Sequence, residues 1–246
     1  MHTWHWKTWN DLPYLTCELL EPWQHGFFTQ QFSPRSPFEL VEVLNPSAQP
    51  YRVQQVHGNT VLPASSISGE NFPPADGVIS DRAHQAVWAC SADCTPALIG
   101  DVKTGNVAAV HAGWRGTSQK IVPVAVALLQ KQGSQLKDLR IALGPAIAGD
   151  VYQVSESVAI EVGTSIAMTS IEDLMQLDQS PILPDATPGR VRLDVRRVNA
   201  IQLEQLGIAP NQIAIAPYCT YQDADYFFSY RREKLKKAQW SGIVSA

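Results

Sequence analysis

Three short segments each close an apolar run with a side chain able to ligate a metal or attack a carbon. They are Gln54-Gln55-Val56-His57-Gly58, Cys90-Ser91-Ala92-Asp93-Cys94 and Val110-His111-Ala112-Gly113-Trp114-Arg115-Gly116. Imidazole and thiolate are metal ligands, and a thiolate beside an imidazole is equally a nucleophile with its base. Cys94 and His111 lie seventeen residues apart, which suits neighbouring strands joined by a turn. Taken one at a time, each has a plainer alternative as a satisfied core histidine or an inert buried thiol. The chain has six histidines, at 2, 5, 25, 57, 84 and 111, and four cysteines, at 17, 90, 94 and 219. None of their spacings is a zinc-finger pattern.

Side chains at strand ends are held by a rigid sheet while facing loops and solvent, where a site is readily placed. Runs over 77–79, 86–92, 96–99, 107–112, 139–143 and 213–215 are short, apolar and bounded by turn residues, so they predict strands covered on both faces. A looser alternation over 51–56 predicts another strand ending at His57-Gly58, and the prolines and serines of 63–75 predict an irregular loop. Helices are predicted from Thr117 or Ser118 to about Gln130, with Gly133 as stop and Pro123 marking a later start or a kink. Further helices are predicted over 155–162 and, capped by Asp194, over 195–206. The first fifty residues, rich in aromatics and prolines, show no assignable topology. Strands mixed with helices throughout mean an α/β or α+β class. The proline-bearing stretch 180–189 is the best candidate for an internal linker, but composition does not shift across it. A single domain over 1–246 is expected, with 1–24 as a peripheral segment.

The chain has 246 residues, 45% of them hydrophobic and 17% charged, which is enough apolar material for a packed core. A formal net charge of -4 argues against a broad nucleic-acid or anionic-membrane binder. No apolar run approaches the roughly 20 residues that span a bilayer, and the start lacks a secretory pattern. Cytoplasmic location and reduced thiols are therefore expected.

In order along the chain stand Gln55-Val-His-Gly58, Ala75-Asp-Gly-Val78, Ser91-Ala-Asp-Cys94-Thr-Pro96, His111-Ala-Gly-Trp-Arg-Gly116, Leu143-Gly-Pro145, Cys219-Thr220 and Phe227-Phe-Ser-Tyr-Arg-Arg232. This series resembles the YfiH-like family, labelled as multicopper polyphenol oxidase or laccase-domain proteins and understood as zinc-dependent purine nucleoside phosphorylases. The resemblance covers about residues 25 to 235. It implies a layered sandwich of mixed β-sheets flanked by helices and a metal held by His57, Cys94 and His111. It also implies phosphorolysis of adenosine to adenine and ribose 1-phosphate, activity on inosine, guanosine and methylthioadenosine, and a side activity deaminating adenosine. The sequence departs from the family pattern at Gly26-Phe-Phe-Thr-Gln-Gln-Phe-Ser-Pro34, and again after Arg232 at Glu-Lys-Leu-Lys-Lys237. Oligomeric state is not legible.

Two imidazoles and a thiolate suit Zn²⁺ and leave one tetrahedral position open for water, phosphate or substrate. Arg115 and one of Arg231 or Arg232 are candidates for binding phosphate. Asp93 is a candidate orienter or proton carrier, with a simple turn role as its alternative. Phe228 is a candidate aromatic wall for a purine, and Gln55 a candidate substrate contact. Cu²⁺ would also bind such ligands in vitro. Three rivals remain: a copper oxidase, which wants an axial methionine and more imidazoles; a metal-free cysteine hydrolase using Cys94 and His111; and an interaction module with a structural metal.

Overall fold

Short apolar runs become strands buried on both faces, and the helices cover what the strands leave exposed. A computed structural model describes residues 2–68 and 72–246. The first part of the chain forms β1 (Trp4–Trp9), β2 (Leu12–Cys17), β3 (His25–Phe28), α1 (Pro37–Leu44), β4 (Gln49–Tyr51) and β5 (Val61–Pro63). Then come β6 (Gly77–Ile79), β7 (Gln85–Ser91), β8 (Thr95–Asp101), β9 (Val107–Ala112), α2 (Trp114–Ser118) and α3 (Ile121–Lys131). Next are β10 (Leu139–Leu143), β11 (Gln153–Ser155), α4 (Glu156–Thr164), α5 (Ile171–Met175), β12 (Ile182–Pro184) and β13 (Arg190–Leu193). The chain closes with α6 (Val195–Gln205), β14 (Ile213–Ile215), α7 (Tyr230–Glu233) and β15 (Gln239–Val244).

Two mixed sheets, ordered β1-β2-β3-β15-β7-β4 and β14-β10-β8-β9-β6-β5, stack face to face, and a smaller sheet β11-β13-β12 stands beside them. Strand alternation sorts the cores. In β9, Val107 and Ala109 face the first sheet and pack with Phe27, Val87 and Ile243, while Ala108, Val110 and Ala112 pack under α3 and α6. His111 shares the parity of Val107 and Ala109, so the strand period directs it toward the space between the sheets. The outer face of the first sheet is covered by α1, whose Leu40 and Val41 pack on Trp88. This is the layered sandwich of mixed sheets flanked by helices that the resemblance implies.

The predicted strands at 77–79, 86–92, 96–99, 107–112, 139–143 and 213–215 appear within two residues of their expected ends, as does the Asp194-capped helix. Four readings need correction. The strand expected over 51–56 pairs with β7 only through Tyr51; beyond it the Gln55 side chain replaces the main chain as partner of Cys90, and Gln54 forms an isolated bridge with Pro74. The helix expected from 117 to 130 is two helices, broken at Lys120 with φ 60°, and Pro123 sits in the first turn of α3, where no amide partner is needed. The linker expected over 180–189 includes strand β12, which pairs with β13 and buries Ile182 opposite Leu193. Of the loop expected over 63–75, residues 64–66 form a short 3₁₀ turn, and 69–71 lie outside the described residues.

Residues 1–24, expected at the periphery, supply the edge hairpin β1–β2 yet bury Leu15, Cys17 and Leu20 in the inter-sheet core. Strand β15 escaped the sequence pattern because Ser241 and Gly242 interrupt it, although it lies between β3 and β7. A Cβ on Gly242 would collide with the Trp88 indole. Gly242→Ala is therefore expected to cost about 1–3 kcal/mol through overpacking, measured by urea unfolding; a loss under a few tenths would show that the Trp88 ring can yield.

Candidate metal centre

One buried carboxylate organises the centre. Asp76 precedes β6 and is fully buried, and four donors converge on it. Its Oδ1 accepts from the His57 amide (2.9 Å) and from His111 Nδ1 (2.9 Å); its Oδ2 accepts from the Val56 (3.2 Å) and Gly58 (2.7 Å) amides. Three successive amides on one carboxylate bend the chain sharply, which explains why His57 takes the left-handed conformation with φ 60°. An ionised carboxylate only accepts, so His111 Nδ1 carries a proton and Nε2 is the ring atom that could ligate an ion. Burial raises the Asp76 pKa, but the bonds from His111, Gly58 and Val56 outweigh it and hold the carboxyl below its ordinary range. The resemblance contained this residue, in Ala75-Asp-Gly-Val78, without giving it a role. A carboxylate inside an apolar run was the available signal.

Cys94 ends the turn between β7 and β8. Asp93 before it has φ 86° and is tied in three directions: its carbonyl accepts from the Ile147 amide (3.0 Å), Oδ1 from the Thr220 hydroxyl (2.7 Å) and Oδ2 from the Arg231 amide (2.6 Å). With both oxygens engaged, Asp93 serves the turn and is not a free proton carrier. Thr220 and the Ile147 amide were missed because nothing local in the sequence links them to residue 93.

The imidazoles of His57 and His111 are 4.8 Å apart between ring centroids and nearly perpendicular. One ligand atom from each of His57, Cys94 and His111 lies within 4.8 Å of the others, and the three run from exposed through half-buried to buried. Donors around tetrahedral zinc stand about 3.3–3.6 Å apart, so small side-chain rotations would close the set on an ion. Gly113 makes room for it: a Cβ there would lie 2.9 Å from Cys94 Sγ and 3.4 Å from His57 Nδ1. Gly116 lets α2 approach the His57 turn, since its Cβ would stand 2.9 Å from the Gly58 carbonyl. Burial pushes the Cys94 thiol up, but the charge and hydrogen bond of His111, with help from His57, bring it down to about 6. Burial lowers His111, and the Cys94 charge with Asp76 overrides this and raises it to about 9. The metal-free centre is thus a thiolate–imidazolium pair at neutral pH.

The remaining candidates separate. Arg115 is exposed, its guanidinium carbon 4.4 Å from the Trp114 ring centroid. Arg231 donates from Nη1 to the Gln153 carbonyl (2.9 Å) and lies 4.8 Å from the Tyr152 ring centroid, on the wall of an open groove of about 360 Å³. Arg232 is spent on the carbonyls of Thr220, Tyr221 and Phe227 and on Glu233, whereas the guanidinium of Arg231 has one hydrogen-bond partner among the described residues, the Gln153 carbonyl. Gln55 uses both ends of its amide on the Cys90 main chain, so it braces the strand instead of reaching for a ligand. Phe228 is buried, with the Lys237 ammonium 5.5 Å from its ring centroid, and its neighbour Phe227 joins the Trp6–Tyr218–Tyr226 cluster. No ring contact among the described residues brings Phe228 to the three ligands.

Fold and centre define a layered α/β protein with a His-Cys-His cluster at the edge of its stacked sheets. A family model described as multi-copper polyphenol oxidoreductase laccase matches residues 38–244, and the chain belongs to this family, the YfiH-like or laccase-domain proteins. A Synechocystis sp. protein named purine nucleoside phosphorylase is 52% identical over 256 residues, covering 98% of this chain and 97% of that one. A Corynebacterium glutamicum protein also named purine nucleoside phosphorylase is 30% identical over 194 residues, covering 78% and 72%. The crystal structure of YlmD from Geobacillus stearothermophilus shares the fold with a TM-score of 0.83 over 98% of each chain at 24% identity. That of the Bacillus licheniformis hypothetical protein YfiH does so with 0.76 over 95% and 96% at 23%.

Two outcomes test the centre. In metal-free protein, alkylation of Cys94 should accelerate as pH rises through about 6, while Cys17 and Cys90, which burial raises to about 11, stay unreactive; a midpoint near the ordinary thiol value would dissolve the ion pair. Asp76 has a depressed pKa in the folded state, so the stability it contributes is present above the unfolded carboxyl range and is lost as pH falls through the folded value. Asp76→Asn should cost about 3 kcal/mol at pH 7, with the gap to the parent protein narrowing in acid; a gap independent of pH would contradict this.

Proposed function

We propose that the protein is a zinc-dependent purine nucleoside phosphorylase, joining adenosine and phosphate to give adenine and ribose 1-phosphate. The convergence of His57, Cys94 and His111 carries the reading, and the names of the relatives agree with it. Inosine, guanosine and methylthioadenosine fall within the same chemistry, and deamination of adenosine is assigned as a side activity. One domain over 1–246 would house it.

Three nitrogen and sulfur donors fit zinc with one position open. Zinc, when bound there, supplies Lewis-acid charge and lowers the pKa of a coordinated water. In phosphorolysis a phosphate oxygen bonds to the anomeric carbon while the glycosidic C–N bond breaks and its electron pair leaves with the purine. Arg115 and Arg231 hold the phosphate dianion, Arg231 already fixed by Gln153 and Tyr152. Asp76 keeps the His111 proton on Nδ1, and Asp93 keeps the Cys94 turn in place.

A copper oxidase fits less well. Among the described residues its axial methionine would have to be Met168, which packs against the α4–α5 core, or Met175, which is 40% exposed on α5. His25 is also committed, accepting from the Cys17 amide and bonded to the Trp23 carbonyl. Cu²⁺ uptake in vitro at the three donors is nonetheless expected from the order of metal affinities. The low pKa of Cys94 favours one second reading, a cysteine hydrolase with His111 as base. Four free cysteines suit a reducing cytoplasm, and among the described residues no helix is long and apolar enough to cross a membrane.

Incubation of the zinc-loaded protein with adenosine and phosphate should yield adenine and ribose 1-phosphate. His57→Ala, Cys94→Ala and His111→Ala should each lose both bound zinc and this activity. Full metal content in any of them would remove that residue from the ligand set. Activity that survives chelation but not thiol alkylation would favour the hydrolase.

A further inference from the structure

Asn199 and Gln202 share one face of α6 and are almost completely buried, where a side-chain amide is costly unless both its ends are bonded. Their donor ends are fully used. Asn199 Nδ2 donates to the Thr117 hydroxyl (3.0 Å) and the Val195 carbonyl (2.8 Å). Gln202 Nε2 donates to the Thr117 carbonyl (2.8 Å) and the Ser165 hydroxyl (2.6 Å). Main-chain carbonyls only accept, which fixes each amide with its nitrogen toward them. The other ends, Asn199 Oδ1 and Gln202 Oε1, meet no donor among the described residues. Buried oxygens without a protein partner cost stability, so a helix face serving packing alone would carry apolar side chains here. What the two amides achieve is a double hold on Thr117, by its hydroxyl and by its main chain.

Thr117 is buried in α2, and the residue before it faces the metal centre. A Cβ on Gly116 would stand 2.9 Å from the Gly58 carbonyl and 3.6 Å from that of His111, so α2 rests directly on the main chain of two ligand segments. At its start Gly113 abuts Cys94 Sγ and His57 Nδ1, and just past its end the Gln119 carbonyl accepts from Asn59 Nδ2 (3.1 Å). A helix of five residues has no stability of its own, so these contacts set its place. The His57 loop holds α2 on one side and α6 holds it on the other.

We propose that Asn199 and Gln202 are positioning residues of the metal centre, which through Thr117 hold α2 against the His57 turn and keep the three donors within closing distance of an ion. This rests on the zinc reading and extends it to residues outside the donor cluster. Thr117→Val keeps the branched shape and removes the hydroxyl; Gln202→Met keeps the length and removes the amide.

In the full-length protein, titrated with Zn²⁺ against a chromophoric chelator, each variant should bind zinc about tenfold or more weakly, the scale for outer partners of a metal site. Thr117→Ser, which restores the hydroxyl, should stay within about twofold of the parent on that scale. The visible absorption bands of the Co²⁺-loaded protein should shift in Thr117→Val and Gln202→Met, a sign of altered donor geometry that lost stability alone does not produce. Gly242→Ala, destabilised on the outer face of the first sheet, should keep the parental zinc affinity and cobalt bands. Parental affinity and bands in either Thr117→Val or Gln202→Met would overturn the proposal. An equal loss in Gly242→Ala would overturn it as well, by reducing the effect to stability. If the parent protein binds neither Zn²⁺ nor Co²⁺, the zinc reading itself fails; if the parent binds them and the two variants match it, only the positioning role fails.

Discussion

A carboxylate in the interior is tolerable only when it is fully hydrogen-bonded, and Asp76 meets that condition with groups that define the centre. Each bond to a charged acceptor contributes about 1.5–3 kcal/mol, and together four such donors offset the desolvation of one carboxylate. The same four bonds set the His57 turn, orient the His111 ring and fix its tautomer. One side chain thus couples two ligands that are 54 residues apart in the chain. The geometry exists before any ion arrives, and folding bears the entropy of arranging the donors.

Cys94 is held by a parallel device. Asp93 anchors its turn to Ile147, Thr220 and Arg231, three positions spread over the second half of the chain. Neither carboxylate is itself within the ligand set. Both spend their charge on main-chain amides and neighbouring donors, and neither belongs to the cluster of thiol and imidazoles that could hold a cation. That division explains why a strained backbone is tolerated at His57 and Asp93: hydrogen bonds to each residue stabilise the unusual conformation.

The family label and the names of the relatives point to different chemistry, and the donor set bears on the difference. Two imidazoles and a thiolate serve zinc or copper equally as ligands. The proposed anion binders, Arg115 and Arg231, stand on separate helices, one stacked on Trp114 and the other over Tyr152. Guanidinium groups stacked on rings are pre-oriented, so less freedom is lost when they meet a phosphate.

All strands of the second sheet except β5, the Asp194 cap and the three clustered donors were legible because each depends on local pattern: an apolar run between turn residues, an acceptor ahead of a helix, an imidazole or thiol at a strand end. Strand β15 was hidden because its glycine accommodates Trp88 from β7, a demand that arises only when the strands pair. Gln55 and Phe228 looked like ligand contacts, but an amide can satisfy main-chain groups as well as substrate, and an aromatic can fill a core as well as a pocket. The sequence by itself determined which residues could do chemistry and that rigid strands would carry them. Only the tertiary structure decided that Asp76 joins two of those residues, that Asp93 braces the third and that Arg232 spends its guanidinium on main-chain carbonyls and Glu233. Those choices rest on contacts between segments distant in the chain, and periodicity carries no information about them.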